Sequence, residues 1–212
     1  MATAEHNSLP AFLDSLGKKD PYTREHSERV GDLMEKFAVA MKLPASHIMQ
    51  MKVAGLIHDA GKLDTPNEIL GRISRGESIP AAEKKALEAH VESESRLATL
   101  GFIPMTVKLA VRHHHERWDG TGFPDKLAGG AIPPSARMLT VCDVYDAVCS
   151  DRPGKKGVGP RKASKMLKKS SGTSLDPKLA QIFIDKIASP EIKPNLLERF
   201  IRKLKNLFKR NK

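Results

Sequence analysis

The sequence predicts an all-α protein built as a helical bundle, and three observations indicate that class. Apolar residues recur with the period of a single helix face through most of the chain. No stretch alternates apolar and polar residues for long enough to build a sheet. Prolines and glycines stand at the ends of the periodic stretches, where helices begin and end.

Two helices are predicted near the start of the chain, after a short leader over residues 1–19. The first runs from Pro21 to Met41, and the second runs from a cap at Ser46 to about Ile57. The leader is too short to be a sensor domain. We therefore expect the functional part of the chain to begin with the first of these helices.

The last turn of the second helix carries the pair His58-Asp59. The pair supplies one imidazole nitrogen and two carboxylate oxygens at one point of the backbone, and such a carboxylate can bridge two cations. Gly61 stands where the end of a helix would need a left-handed residue. Lys62 is either a cation that stabilises the helix end or a contact for a substrate phosphate.

The rest of the chain alternates predicted helices with turn-rich segments. Residues 63–79 are predicted as a loop, because they contain proline and glycine and show little periodicity. Further helices are expected over residues 80–100, from 104 to the histidine run, and over 135–150, 161–170 and 177–188.

Side chains that could bind a metal are spread over several of these helices. A bundle can bring such residues together in its core, and a donor set of nitrogen and oxygen suits Fe, Mn, Zn or Ni better than Mg. Two cations held about 3.5–4 Å apart would clamp a phosphodiester and activate a water molecule. The candidate residues are His26, His58, Asp59, His90, His114, His115 and Asp143.

Two of the remaining sequence features bear on this interpretation. Asp143 lies on an apolar helix between Cys142 and Val144. Burying a carboxylate there without a cation or a hydrogen-bond donor would cost roughly several kcal/mol. Three other histidines, His6, His47 and His113, are expected to be structural or surface residues.

Charge and cysteine content constrain the setting of the protein. Residues 150–212 hold 18 Lys and Arg against 5 Asp and Glu, whereas residues 1–149 hold 18 against 20. The basic end suits an anionic partner or is a solvated basic face. Cys142 and Cys149 are expected to be thiols, and with no signal peptide evident they favour a cytoplasmic protein.

The C-terminal segment, residues 191–212, is predicted as an amphipathic basic helix. Its apolar stripe could dock on the core of the domain, or residues 195–212 could attach the protein to an anionic membrane surface, peripheral to the inner face. Nucleic-acid binding is not expected, because the basic third has few aromatic residues and no recognisable motif.

The motifs, taken in order, resemble those of the HD-GYP family, a branch of the HD-domain phosphohydrolases that opens cyclic di-GMP. The match spans about residues 20–183, so a domain over residues 20–190 is expected. The motifs are His26-x-x-Arg29-Val30, His58-Asp59-Ala60-Gly61-Lys62, His90, His114-His115-Glu116-Arg117-Trp118-Asp119-Gly120-Thr121-Gly122-Phe123-Pro124, Ala136-Arg137-Met138 and Asp143-Val144-Tyr145-Asp146-Ala147.

The resemblance implies an HD-domain helical bundle with a buried centre of two divalent metal ions, usually iron or manganese. By position, His26, His58, Asp59 and Asp143 would hold one ion. Asp59 would bridge to a second ion, which His90, His114 and His115 would hold.

The resemblance also implies substrate contacts. Lys62 would contact the scissile phosphate of a cyclic dinucleotide, and Arg152 and Lys155 match positions that grip the nucleotide. Arg152 and Lys155 could instead be exposed cations in a basic loop.

The chain departs from the family pattern around the substrate and keeps every metal position. Phe123 replaces the tyrosine of Gly-Tyr-Pro, and Gly154 replaces an aromatic residue. Glu94 stands where a glycine is usual, Tyr22 is not the glutamate that adds a third metal in some members, and Leu175 replaces a phenylalanine.

Three functions remain open from the sequence. The first is a phosphodiesterase that converts cyclic di-GMP to linear pGpG, or onward to GMP, with Asp59 and Lys62 as catalytic residues. The second is a module that keeps the metal centre and binds the dinucleotide or a regulatory protein partner without turnover. The third is an HD phosphohydrolase of another cyclic dinucleotide or nucleotide.

Overall fold

The computed structural model describes residues 8–75, 77–152 and 156–188 as a bundle of helices, and no strand occurs in these ranges. The all-α class predicted from the sequence is confirmed. The helices are α1 (Leu9–Lys19), α2 (Pro21–Ala40), α3 (Ala45–Ile57), α4 (Asn67–Ser74), α5 (Ala81–Glu88), α6 (Glu94–Ala98), α7 (Met105–His113), α8 (Pro134–Cys149), α9 (Pro160–Ser170) and α10 (Pro177–Phe183).

Helix α2 lies at the centre of the bundle and packs against α1, α3 and α8. Its apolar stripe is fully buried, including Val30, Met34 and Phe37. The ring of Phe37 meets that of Phe183 edge to face, with centroids 5.2 Å apart. This packing fixes α2 relative to the end of α10, and it fixes the direction in which the polar residues of α2 point.

Helix α1 forms from residues 9–19 of the predicted leader and packs on α2 and on the turn after α3. Phe12 and Leu16 are buried in the same hydrophobic core as α2. The side chain of Asp20 ends this segment by capping α2, because it accepts a hydrogen bond from the backbone N–H of Tyr22 at 3.3 Å.

Two expectations about the middle of the chain are wrong. Residues 63–79 contain helix α4, in which Ile69 and Leu70 are buried, so a short helix lies where the glycines predicted a loop. The single helix expected over residues 80–100 is divided into α5, a 3₁₀ turn over Ala89–Val91, and α6. The 3₁₀ turn places His90 in the interior of the bundle. A continuous helix over residues 80–100 would not by itself give His90 this position.

Gly61 also has a different role from the one expected. It lies in a 3₁₀ turn, Ala60–Asp64, and is not among the described glycines with a positive φ. A Cβ at Gly61 would stand 2.1 Å from the carbonyl oxygen of His90. Glycine is needed because two backbone segments touch here, and the contact sets His90 beside the end of α3.

The remaining expectations concern the ends of the chain and the cysteines. Cys142 and Cys149 are free thiols, as expected. Across the part of the chain that the structure describes, no helix has the length and apolar character needed to cross a membrane. The predicted amphipathic helix over residues 191–212, the first seven residues of the leader and Lys155 lie outside the described residues.

Candidate metal centre

All seven side chains predicted to bind metal meet in the interior of the bundle. His26 comes from α2, His90 from the 3₁₀ turn after α5, and Asp143 from α8. The others follow the ends of two helices: His58 and Asp59 follow α3 directly, and His114 and His115 follow α7. The pair His58-Asp59 thus lies just beyond the helix in which it was expected.

Three of the histidines are held in one orientation by the backbone beside them. The Nδ1 of His58 lies 2.8 Å from the carbonyl oxygen of Gly55, and the Nδ1 of His114 lies 2.7 Å from that of Val111. His90 repeats the arrangement, with its Nδ1 against the carbonyl oxygen of the residue three positions earlier. Because each Nδ1 donates its proton to a carbonyl, each Nε2 is left with a lone pair that faces the centre.

Asp59 stands between two groups of these nitrogens and is 2% exposed. Its Oδ2 lies 3.4 Å from the Nε2 of His58, and its Oδ1 lies 3.6 Å from the Nε2 of His90. Lys62 donates a hydrogen bond to Oδ2 at 2.7 Å. The two oxygens therefore face opposite sides of the centre, which is the arrangement that a bridging carboxylate needs.

His26 is positioned by two carboxylates of α8. Its Nε2 lies 3.1 Å from Oδ1 of Asp143, and its Nδ1 lies 2.7 Å from Oδ2 of Asp146. Arg29 donates to Oδ1 of Asp146 at 2.8 Å and so fixes that carboxylate in turn. This chain of contacts ties the ligand side of α2 to that of α8.

The donor atoms fall into clusters of the size that a single ion occupies. Within each cluster the atoms lie no more than 4.8 Å apart. His114 also offers a buried Nε2 that has no hydrogen-bond partner among the described residues, and burying such an atom is costly unless something binds it. These donors fit divalent metal ions. The clusters are His26-His58-Asp143, His58-Asp59-His114 and His90-His114-His115.

Burial and neighbouring charges set the protonation of these groups. Burial lowers the pKa of His58, His90 and His114, and burial together with His90 lowers the pKa of His115 to about 3. Four neutral imidazoles, the form that binds metal, are therefore present at neutral pH.

The acidic side of the centre behaves differently. Burial would raise the pKa of Asp59, but in the acidic range where Asp59 titrates, protonated His58 and the ammonium of Lys62 hold that pKa well below its ordinary value. Burial lowers the pKa of His26, yet its hydrogen bonds to Asp143 and Asp146 raise it to about 9. The proton on His26 must leave before its Nε2 can hold a cation.

Arg152 and Phe123 lie at the rim of this centre, whereas Lys62 lies within it, beside Asp59. The guanidinium of Arg152 lies over the ring of Tyr22, 5.2 Å from its centroid, and its Nε is buried without a hydrogen-bond partner among the described residues. The ring of Phe123 lies against His115, with centroids 4.9 Å apart. The family's tyrosine position is therefore at the edge of the metal cluster.

Asp146 is the functional candidate that the sequence reasoning missed. It is 4% exposed and its side chain also accepts a hydrogen bond from Ser150 at 3.0 Å. The signal was present in the sequence, because Asp143 and Asp146 are three residues apart and share one face of α8.

The sequence model of the HD domain matches residues 10–179. Among curated proteins, a cyclic di-GMP phosphodiesterase of Pseudomonas aeruginosa is 36% identical over 180 residues, covering 84% of this chain and 42% of that protein. A 3′3′-cGAMP-specific phosphodiesterase of Vibrio cholerae is 31% identical, covering 80% of this chain and 36% of that protein. The chain thus spans less than half of the length of these relatives.

Solved structures share the fold at low sequence identity. An HDG"Y"P protein from Bdellovibrio bacteriovorus superposes with a TM-score of 0.56 and 19% identity, covering 76% of this chain and 50% of that one. The HD domain of the L. monocytogenes phosphodiesterase PgpH, in complex with cyclic di-AMP, gives 0.59 and 13%, covering 84% and 93%. The chain belongs to the HD-domain family, and its predicted resemblance to the HD-GYP branch is confirmed.

Proposed function

We propose that this chain is a metal-dependent phosphodiesterase that hydrolyses cyclic di-GMP to linear pGpG. The observation that carries the proposal is the position of Asp59, whose two oxygens face His58 on one side and His90 on the other. A relative that is 36% identical is named a cyclic di-GMP phosphodiesterase, which favours the same substrate class.

The assignment of ligands to the two ions follows the HD-GYP pattern, and the clusters His26-His58-Asp143 and His90-His114-His115 support it. His26, His58, Asp59 and Asp143 would hold one divalent ion, and Asp59, His90, His114 and His115 would hold the second. Iron or manganese is the expected metal, and Zn, Ni or Mg could also bind. A pair of divalent ions supplies Lewis-acid activation of the phosphodiester and of a water molecule.

The protein groups would orient the substrate and stabilise charge. The ammonium group of Lys62 is largely buried and within reach of the same oxygen of Asp59 that faces His58. From there it would donate to a non-bridging oxygen of the scissile phosphate, where negative charge increases in the transition state. Arg152 would contact a second phosphate, and its buried Nε, which has no hydrogen-bond partner among the described residues, supports that role. The same role is proposed for Lys155.

The direct test is hydrolysis by the full chain, purified anaerobically and loaded with Fe(II) or Mn(II). Cyclic di-GMP, 3′3′-cGAMP and cyclic di-AMP would be compared, with the products separated by chromatography. We expect cyclic di-GMP to give pGpG, and GMP on longer incubation if the linear product is cleaved again. His47→Ala removes an exposed histidine and serves as the matched control.

Two other outcomes would replace this proposal with the alternatives. Faster hydrolysis of another cyclic dinucleotide would assign that substrate to the site. Tight binding of cyclic di-GMP by calorimetry, with no hydrolysis in either metal, would assign the chain as a binding module that retains its metal centre. The loss of the tyrosine hydroxyl at Phe123 is the feature that favours the binding module.

A further inference from the structure

A second cluster of potential metal ligands lies at the end of α7, and it shares no residue with the candidate metal centre. It consists of His113, Glu116 and Asp125. The Nδ1 of His113 stands 3.8 Å from Oε1 of Glu116 and 3.7 Å from Oδ2 of Asp125. His113 was expected to be a structural or surface residue, yet its ring is aimed between two carboxylates.

The imidazole of His113 is the group that lacks a partner. The residue is 6% exposed, and its Nδ1 is buried with no hydrogen-bond partner among the described residues. Both carboxylate oxygens lie too far away to accept a hydrogen bond from it. A buried imidazole nitrogen that faces two anionic oxygens beyond hydrogen-bonding distance is placed to bind a cation between them.

The two carboxylates are held in place by other groups. Glu116 is 1% exposed and accepts hydrogen bonds from the backbone N–H groups of Asp125 and Leu127, at 2.7 and 3.1 Å. Arg112 donates to both oxygens of Asp125, at 2.9 and 3.2 Å. Each oxygen retains a lone pair, and two carboxylates against one guanidinium leave a negative charge.

The spacing suits a small divalent ion. Ligand atoms around a tetrahedral ion, each at about 2.0–2.2 Å, stand about 3.3–3.6 Å from one another. The observed distances of 3.7 and 3.8 Å would need to shorten by only a few tenths of an ångström, roughly, to reach that range. The side chain of Asp125 is 40% exposed, so water could complete the coordination.

We propose that His113 Nδ1, Glu116 Oε1 and Asp125 Oδ2 form a structural site for a divalent transition-metal ion of the zinc, cobalt or manganese type. The ion would link the end of α7 to the loop after it. That loop contains Phe123, whose ring lies against His115, so the site would hold the rim of the metal centre in position. The inference does not depend on the proposed activity.

The test measures zinc bound per chain after equilibrium dialysis of the full chain. Asp125→Asn and His113→Asn each remove one ligand and should each bind one zinc fewer than the wild type. Arg112→Gln breaks the ion pair with Asp125 but keeps all three donors, so it should bind as much zinc as the wild type. His47→Ala controls for the loss of a histidine. The result is the difference in zinc content between variants, so zinc bound at the candidate metal centre does not affect it.

A second measurement keeps the test decisive if His113→Asn folds poorly. Zinc added to the wild type should raise its thermal unfolding temperature, and Asp125→Asn, altered at a partly exposed side chain, should lose part of that rise. Equal zinc content and an equal rise in the wild type and in Asp125→Asn would overturn the proposal.

Discussion

The candidate metal centre and its rim are built in different ways. In the centre, the imidazoles of His58, His90 and His114 are fixed by the backbone, and His26 is fixed by the carboxylate of Asp146. At the rim, the ring of Phe123 lies against that of His115, and Arg152 lies over Tyr22 with its Nε unpartnered in the part of the chain that the structure describes. The centre is preorganised, whereas the rim has groups still available to a ligand.

The same division separates what this chain shares with the HD-GYP pattern from what it changes. Every departure noted in the sequence, at Tyr22, Glu94, Phe123, Gly154 and Leu175, leaves the metal positions intact. Substitutions in the centre should therefore remove metal and turnover together. Substitutions at the rim should change substrate binding while leaving metal content unchanged.

Asp59→Ala should have the largest effect, because it removes the carboxylate that faces both sides of the centre. We expect a fall in hydrolysis on the order of a thousandfold or more, together with loss of bound metal. Metal analysis and initial rates on the same preparations measure both. Asp64→Ala is the matched control, since Asp64 is exposed and pairs only with Arg96 in the described contacts. Full activity in Asp59→Ala would mean that the centre lies elsewhere.

Lys62→Met should lower kcat by about a hundredfold to a thousandfold, because an ammonium group aimed at developing phosphate charge is lost. Metal content should stay at the wild-type value, since Lys62 is not a ligand. Lys84→Met, at a largely exposed lysine that pairs with Glu88, is the control. A normal kcat in Lys62→Met would show that Lys62 acts only as a partner of Asp59.

Asp146→Asn should weaken metal binding by about tenfold to a hundredfold. The substitution keeps the shape of the side chain but removes the charge that orients His26 and holds Arg29. A metal titration against a chelator of known affinity measures the change. Asp151→Asn, an exposed residue just beyond α8, should leave the affinity unaltered. An unchanged affinity in Asp146→Asn would remove Asp146 from the centre.

Arg152→Ala should raise KM for cyclic di-GMP by about tenfold and leave metal content unchanged, because a charge-assisted hydrogen bond to phosphate is lost. Arg152→Lys should recover part of the loss, since it restores charge without the planar guanidinium. A fall in kcat with KM unaltered would contradict a binding role.

Phe123→Tyr should have the smallest effect. The added hydroxyl leaves the ring against His115, so rates and KM should stay within about threefold of the wild type. Phe123→Tyr restores the family's Gly-Tyr-Pro motif, so comparing it with the wild type isolates the effect of the missing hydroxyl. An increase in turnover of a hundredfold would instead identify Phe123 as the cause of a weakened enzyme.

The side chains that meet in the centre could be picked out from the sequence, because residues with metal chemistry stand out in motifs. His58-Asp59 and His114-His115 can be recognised without any knowledge of how they meet. The contacts that hold these side chains in position could not be predicted in the same way. The contact of Gly61 with the backbone of His90, and that of His26 with Asp146, join residues far apart in the chain.

Local signals also failed where tertiary packing decided the structure. Pro80 and Gly101 mark the ends of a helical stretch, but nothing between them marks the 3₁₀ turn that buries His90. Helix α4 was predicted as a loop because its eight residues are too few for the periodicity to show against a glycine and nearby prolines. The pairing of His113 with Asp125 depends on the folding of a loop, which spacing alone does not reveal.

The central claim is that the seven candidate ligands of the metal centre hold a pair of metal ions bridged by Asp59. These ligands are His26, His58, Asp59, His90, His114, His115 and Asp143. The most direct measurement is anomalous X-ray scattering at the manganese edge from crystals of the full chain grown with Mn(II). Within the centre, the account predicts two peaks about 3.5–4 Å apart, one on each side of the carboxylate of Asp59. A single peak in the cluster, or two peaks that both lie beyond bonding distance of Asp59, would contradict it.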